Sequence, residues 1–421
     1  MVSPMMQTIT GPQRPPAFFF LAGVFAASLI CAARDGSAED RSVRLAAVTD
    51  AEGRVFSGLL TELRGGQLTL KGTEQRRVPV KSLLALKFVE RTSIVAPADP
   101  LLLLEGDDLF VLSAEKMDAE TLTARWARFP EWLAVKIPLE SVRAVLLSRP
   151  VAAVASSRLF SRALDYRESQ DAVVLLNGDT YTGEIAGLDE KQLYLETPQG
   201  RSAIGKPGIE AVFLNPALLS SETLKGEGAL VSLVDGSRFR ALDLRLVTPE
   251  RLTVRTVFGA ELSIPLSAVE SLRFLGGAAV YLSDLKPVEY GFEPFLALKW
   301  PLRADHNATG GALRLRGAEF PKGLGMHSRS TVSYRLDGKF RRFHALIGVD
   351  DETAGAGSVI FEVLLDGKSV FRSGVLTGTS PAAGLERLDV SGARLMTLRV
   401  DFATLGDIQD HADWCEAVLI R

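Results

Sequence analysis

Cysteine is almost absent: Cys31 and Cys415 are the only two in 421 residues. The first lies in an N-terminal apolar run that reads as removable, so the exported protein has no disulfide available and its cores must stabilise it. Histidine is nearly as scarce, and His306, His327, His344 and His411 all fall in the last third. Charge of one sign is lacking too. With 48 basic and 51 acidic residues the net charge is −3, so no basic field exists to hold nucleic acid or an anionic membrane surface. The usual catalytic signatures are missing. There is no His-Glu-x-x-His or Cys-x-x-Cys, which argues against zinc, and no Gly-x-Ser-x-Gly elbow. Gly367-Lys368-Ser369 ends like a phosphate loop, but Glu362 stands where that loop needs its first glycine. No alternation of strands and helices on the scale of a (β/α)₈ barrel is present either.

At 421 residues the chain is too long for one ordinary core and should split into domains. Its N-terminus reads as a targeting signal. Arg14 precedes an apolar run from Ala17 to Ala33, followed by small residues and then charge. Cuts after Ala33 or Ala38 both fit, the second better, which sets a signal at 1–38 and predicts a periplasmic or extracellular protein. An uncleaved run of this length is the alternative, a membrane anchor near the lower limit for a span.

Between Arg41 and about Gly276 one pattern recurs. A polar glycine turn opens each copy: AEGR ending at Arg54, LEGDD at Asp108, LNGDT at Thr180, VDGSR at Arg238. Each closes on a similar phrase: Val78–Phe88, Ile137–Leu147, Ile204–Leu214 and Ile264–Phe274. In every closing phrase a β-branched residue is followed five positions later by an apolar one: Val78 and Leu83, Ile137 and Val142, Ile204 and Ile209, Ile264 and Val269. Proline follows the β-branched residue in three copies, which suggests an edge strand or strand start; Gly205 takes its place in the third. A turn, a meander, a short helical turn and a last strand resemble SH3-like or Sm-like small barrels. The expected modules are 41–90, 100–148, 171–214 and 229–275, pairing edge to edge or hanging on linkers. The linkers are Arg91–Asp99, Ser148–Gln170 and Asn215–Gly228. The middle one, rich in Ala, Ser and Arg, suits a short helix; its Arg149, Arg158 and Arg162 read as a solvated face rather than an anion site.

From Tyr281 the texture changes to short alternating runs with Gly- and Asp-rich turns, such as LDGK at Leu336 and again at Leu365. These read as strands of a two-sheet sandwich at 289–421. The predicted fold class is therefore all-β: several small SH3/Sm-like barrel modules followed by a C-terminal jelly-roll β-sandwich.

In that segment KGLGMHS (Lys322–Ser328), GKF from Gly338, GVDDE (Gly348–Glu352), SVIFEVLLDGK, SGVLTG (Ser373–Gly378), LDVSG (Leu388–Gly392) and DHADW (Asp410–Trp414) follow in order. Together they resemble the NPCBM module, or family 51 carbohydrate-binding module, from about Trp300 to the C-terminus. The resemblance implies a galactose-binding-like sandwich, galactose-type glycans as partners, and a structural calcium ion. One departure is local. The Gly-Asn-Gly-like loop usual before DHADW is replaced by TLGDIQ, so Ile408 and Gln409 could reshape the binding face.

On their own terms the residues leave alternatives open. His327 and His411 suit either a satisfied core role or a ligand contact, with His411 oriented by Asp410 or Asp413; His344 reads as structural. Asp350 and Asp351, adjacent along a strand, face opposite ways and make a poor acid/base pair. Either could give calcium an oxygen, or both could cap turns. Trp300 and Trp414 are the candidate sugar platforms, with core packing the alternative for each. The expected function is an exported, non-catalytic glycan-binding protein whose barrels act as scaffold. The alternative is a cell-envelope structural protein that meets other envelope proteins and has lost sugar affinity.

Overall fold

The computed structural model describes residues 44–89, 91–96, 98–220, 226–294, 299–404 and 406–421. The signal expected at 1–38 lies outside the described residues. Apart from one α-helix, α1 (Ala153–Leu164), and single turns of 3₁₀ helix, the described elements are strands, so the chain is all-β as its alternating patterns require. It divides into two compact units at Gly277/Ala278.

The first unit holds four five-strand meanders. The first comprises β1 (Leu45–Asp50), β2 (Val55–Arg64), β3 (Gln67–Lys71), β4 (Gln75–Pro79) and β5 (Leu83–Phe88). In the second, β6 (Leu101–Leu104) leads to a strand broken in two, β7 (Leu109–Phe110) and β8 (Leu112–Met117), then β9 (Thr121–Trp126), β10 (Val135–Pro138) and β11 (Val142–Leu146). The third runs through β12 (Asp171–Leu175), β13 (Thr180–Leu188), β14 (Gln192–Thr197), β15 (Gly200–Gly205) and β16 (Ile209–Phe213). The fourth runs through β17 (Gly228–Leu233), β18 (Arg238–Thr248), β19 (Arg251–Thr256), β20 (Glu261–Pro265) and β21 (Val269–Leu275).

The repeated phrases explain the common shape. The turn glycines Gly53, Gly106, Gly178 and Gly236 adopt φ of 78°, 77°, 91° and 94°, a region closed to most side chains. Each closing phrase carries the last residues of the fourth strand, one 3₁₀ turn, and the fifth strand. Pro79, Pro138 and Pro265 end the fourth strands, just before the 3₁₀ turn, and do not start a strand. Among the described strands β4, β10 and β20 each pair on one side only, so no second ladder there demands a donor. In the second and fourth modules both residues flanking the turn enter the core, Ile137 and Val142, like Ile264 and Val269, being no more than 1% exposed; in the other two Val78 and Ile204 are only partly buried against it.

In each meander the first strand lies between the second and the fifth. The outer edge of each fifth strand would be open, and another module covers it. β5 pairs with β21 (Leu86↔Leu272), and β11 pairs with β16 (Val145↔Val212). Single bridges add the second module to the fourth and to the third. Edge pairing satisfies backbone groups that would otherwise template aggregation. Helix α1 seats Leu159, Ala163 and Leu164 on a satellite core with Leu101, Leu103 and Phe213, and Arg162 lies 5.5 Å above the Phe213 ring.

The second unit, residues 278–421, is a two-sheet sandwich. One sheet is built from β22 (Ala279–Tyr281), β24 (Arg303–Ala304), β27 (Gly323–His327), β29 (Arg342–Val349), β33 (Ala383–Asp389) and β35 (His411–Ile420). The other holds β23 (Glu289–Phe292), β28 (Ser330–Arg335), β30 (Ser358–Leu365), β31 (Lys368–Arg372), β32 (Leu376–Thr377) and β34 (Leu395–Phe402). A separate hairpin pairs β25 (Leu313–Leu315) with β26 (Ala318–Phe320). The two LDGK turns place Asp337-Gly338 and Asp366-Gly367 at positive φ; the second closes the β30–β31 hairpin, whereas the first carries the chain from β28 in one sheet to β29 in the other. Between the sheets lie Trp414, Phe343, Phe361, Tyr334 and Met396, each no more than 1% exposed.

Candidate functional site

The site grows from two paired strands. β27 and β35 run antiparallel with Gly325 opposite Asp413 and His327 opposite His411. Directly opposed residues share a face, so the two imidazoles stand side by side with ring centroids 5.5 Å apart. Gly325 sets how close the 306–307 segment can come. A Cβ there would lie 2.3 Å from the His306 carbonyl oxygen and 2.4 Å from the Asn307 carbonyl carbon.

Trp300 completes the cluster. Its indole is parallel to His327, with centroids 4.5 Å apart and 1° between the planes, and is tilted against His411 at 5.3 Å. Phe292 meets the His327 ring edge-on at 6.2 Å. The half-buried Trp300 is anchored where Tyr290 donates its hydroxyl to the Trp300 carbonyl at 2.9 Å.

Both histidines have their Nδ1 atoms fixed. His327 Nδ1 donates to the Ser328 carbonyl at 2.8 Å, and burial pushes this imidazole below its ordinary pKa. His411 Nδ1 donates to Glu352 Oε1 at 2.6 Å. Burial alone would raise the Glu352 pKa, but the bonds from His411 and from Thr309, at 2.7 Å, hold it below the usual value. Glu352 is therefore an anion at neutral pH. Each Nδ1–H is spent as a donor, which leaves Nε2 as the acceptor nitrogen of each ring.

The acidic residues divide by role. Asp350 accepts from the Glu352 and Arg314 backbone N–H groups and from Asn307 Nδ2, at 2.8, 2.9 and 3.2 Å. Asp351 accepts from the Arg316 and Gly317 N–H groups at 2.8 and 2.6 Å. Together they brace the β25–β26 hairpin. All four oxygens already hold N–H donors, so this pair does not fit calcium, a hard cation wanting six to eight oxygens. Among the described residues no three His, Cys, Asp or Glu side chains group around a metal position.

Asp410 and Asp413 do not orient His411; Glu352 does. Asp410 is fully buried and accepts from Ser328 Oγ at 2.6 Å and the Ser358 N–H at 2.7 Å, and burial outweighs these bonds to push its pKa up to about 6. Asp413 is fully buried; burial and the neighbouring Asp350 carboxyl push its pKa well above the ordinary value. Trp414 is corrected as a sugar platform. It is 0% exposed and packs edge-on against Phe361 at 5.0 Å, so no ligand can stack on it. His344 is buried in β29, accepts from the Arg387 N–H at 3.2 Å, and burial pushes its pKa down to about 4. In the departing loop, Gln409 takes φ 58° and Ile408 is 69% exposed.

The structure thus gathers Trp300, His327 and His411 and leaves Asp350, Asp351, Asp410, Asp413 and Trp414 as framework. Reasoning from sequence missed Glu352, Thr309 and Phe292 as members of the cluster. Glu352 had a signal, since it closes the GVDDE motif; the other two had none.

Residues 278–420 match the family model described as NPCBM/NEW2 domain. A protein of Renibacterium salmoninarum, named as an endo-alpha-N-acetylgalactosaminidase, is 33% identical over 108 residues. That stretch is 26% of this chain and 7% of the relative's length. A solved CBM51 from Clostridium perfringens GH95, in complex with methyl-galactose, is 28% identical over 34% of this chain and 99% of its own, with a TM-score of 0.31. CBM51-2 with INT domains from Clostridium perfringens ZmpB, in complex with GlcNAc, is 24% identical over 48% of this chain and 39% of its own, with a TM-score of 0.32. The C-terminal unit of this chain is an NPCBM domain, a module of a carbohydrate-binding family.

Proposed function

We propose that the C-terminal module binds galactose-type glycans at the Trp300–His327–His411–Glu352 cluster, and that the protein is exported and non-catalytic. The observation that carries this is a half-exposed indole set beside two imidazoles whose Nε2 atoms are left as acceptors. A pyranose presents an apolar face to an aromatic ring and hydroxyl donors around its rim, and such a cluster meets both. Galactose-type ligands are what the family resemblance implies, and the name of the Renibacterium relative lies in the same sugar class. A non-catalytic role is supported by the carboxylates: Asp350 and Asp351 hold turns, Asp413 is buried in the core, and Glu352 is committed to His411. No two of them flank an open position as glycoside hydrolysis needs. The four-barrel unit then serves as scaffold or docking module, and the 1–38 segment as export signal.

The test is a glycan array and calorimetry on the full chain, with galactose, N-acetylgalactosamine and N-acetylglucosamine. Trp300→Ala is expected to weaken binding at least about tenfold with little change in melting, because a half-exposed ring is removed. Trp414→Ala is expected to destabilise the module by about 3–5 kcal/mol, as deletion of a buried aromatic does. Equal binding in chelator and in calcium is expected, since Asp350 and Asp351 are already bonded. A cooperatively melting chain that binds no glycan would overturn this reading and leave the envelope-protein role as the better account.

A further inference from the structure

We propose that His327 and His411 also form a two-nitrogen site for a borderline divalent transition-metal ion, copper(II) ahead of nickel(II) or zinc(II). Nothing in the glycan reading requires this, and the argument is geometric. The two residues face each other across one antiparallel register position, so backbone pairing, not a flexible loop, sets their spacing. A metal about 2.0–2.1 Å from an imidazole nitrogen lies about 3.2 Å from that ring's centroid. Two rings sharing one ion at a tetrahedral angle then have centroids about 5.2 Å apart, and at a trigonal angle about 5.5 Å. The observed separation is 5.5 Å.

The surroundings match what metal-bound histidines use. A ligating imidazole donates its other N–H to a carboxylate or a backbone carbonyl, which fixes tautomer and ring orientation. His411 donates Nδ1–H to Glu352, and His327 donates Nδ1–H to the Ser328 carbonyl. Both Nε2 atoms lack a hydrogen-bond partner among the described residues. Stacking by Trp300 covers a face of the His327 ring, whereas a nitrogen lone pair lies in the ring plane, so the indole does not block coordination. With two protein nitrogens the remaining positions fall to water, which suits copper(II) best in the Irving–Williams order.

The experiment titrates copper(II) into chelator-treated full-length protein without sugar, following tryptophan emission, heat and the electron paramagnetic resonance spectrum. Expected are one equivalent bound, quenching of the stacked Trp300, and hyperfine lines from two nitrogens. His327→Gln and His411→Gln should each abolish the stoichiometric phase while melting cooperatively, and His344→Gln should leave it unchanged. Glu352→Gln should weaken binding about tenfold or more, as loss of an outer-shell partner does. An oxygen-only spectrum, or an unaltered titration in His327→Gln, would overturn the proposal. Because sugar is absent throughout, that result would leave the glycan reading untouched.

Discussion

Acid should stabilise the N-terminal four-barrel unit between pH 7 and pH 5, opposite to the behaviour of most folded proteins. Asp108 and Asp235 are no more than 1% exposed, and each has an Oδ2 without a hydrogen-bond partner among the described residues. Burial raises both, to about 6, against the pull of Arg240 on Asp108 and of the Ser237 N–H on Asp235. In the unfolded chain an aspartate titrates near 3.9. Between those values the native state binds more protons than the unfolded state, so unfolding free energy rises as pH falls. From pH 7 to pH 5 each group contributes about 1.3 kcal/mol, roughly 2.5 kcal/mol for the pair. For a unit of this size that is a rise in Tm of about 5–10 °C. Asp171 and Glu210 are also raised by burial and act in the same direction. No histidine lies anywhere before His306, so no ordinary group opposes this trend in the same window. The assay is calorimetry of the full chain at half-unit pH steps, against Asp108→Asn/Asp235→Asn. The variant keeps acceptor oxygens but cannot titrate, so the stability of the wild type minus that of the variant should rise by roughly 2.5 kcal/mol as the pH falls from 7 to 5. A gap that stays constant from pH 7 to pH 5 would refute the reasoning.

Three further outcomes test the packing argument. Ile264→Ala removes a side chain 1% exposed beside the 3₁₀ turn and should cost about 2–5 kcal/mol in denaturant melts. Gly325→Ala puts a methyl group within 2.3 Å of backbone at His306, and should destabilise the C-terminal module by about 1–3 kcal/mol or more, as thermal melting would show. Glu352→Gln leaves His411 without its carboxylate acceptor. Loss of this charged hydrogen bond should lower the stability of the C-terminal module by about 1–3 kcal/mol in thermal melts.

What the sequence disclosed and what it hid follow from how far each signal travels along the chain. The barrels were legible because their information is local. A glycine at φ of 77–94° opens the hairpin, and two apolar residues five apart straddle one 3₁₀ turn, all within short windows repeated four times. Their assembly was not legible, because the β5–β21 contact joins strands more than 180 residues apart through backbone edges, and edges carry no side-chain signature. The same distinction divides the site. Asp350 and Asp351 reveal turn capping only when Arg314, Arg316 and Gly317 are seen to arrive from a hairpin some 35 residues earlier. Chain proximity to Asp410 and Asp413 suggested the wrong partner for His411. Ser328 and Ser358 hold Asp410 inward and Asp413 is buried in the core, while the 3₁₀ turn after β29 carries Glu352 across to the imidazole. Trp414 is hidden for a similar reason. A tryptophan in an alternating strand faces either side equally well by pattern, and only the register Ile347↔Trp414 turns it into the core. The pairing His327↔His411 is the case with most consequence, since 83 intervening residues separate two side chains that share one face. A ligand at that face, whether hydroxyl or metal, is therefore specified by strand register before it is specified by residue type.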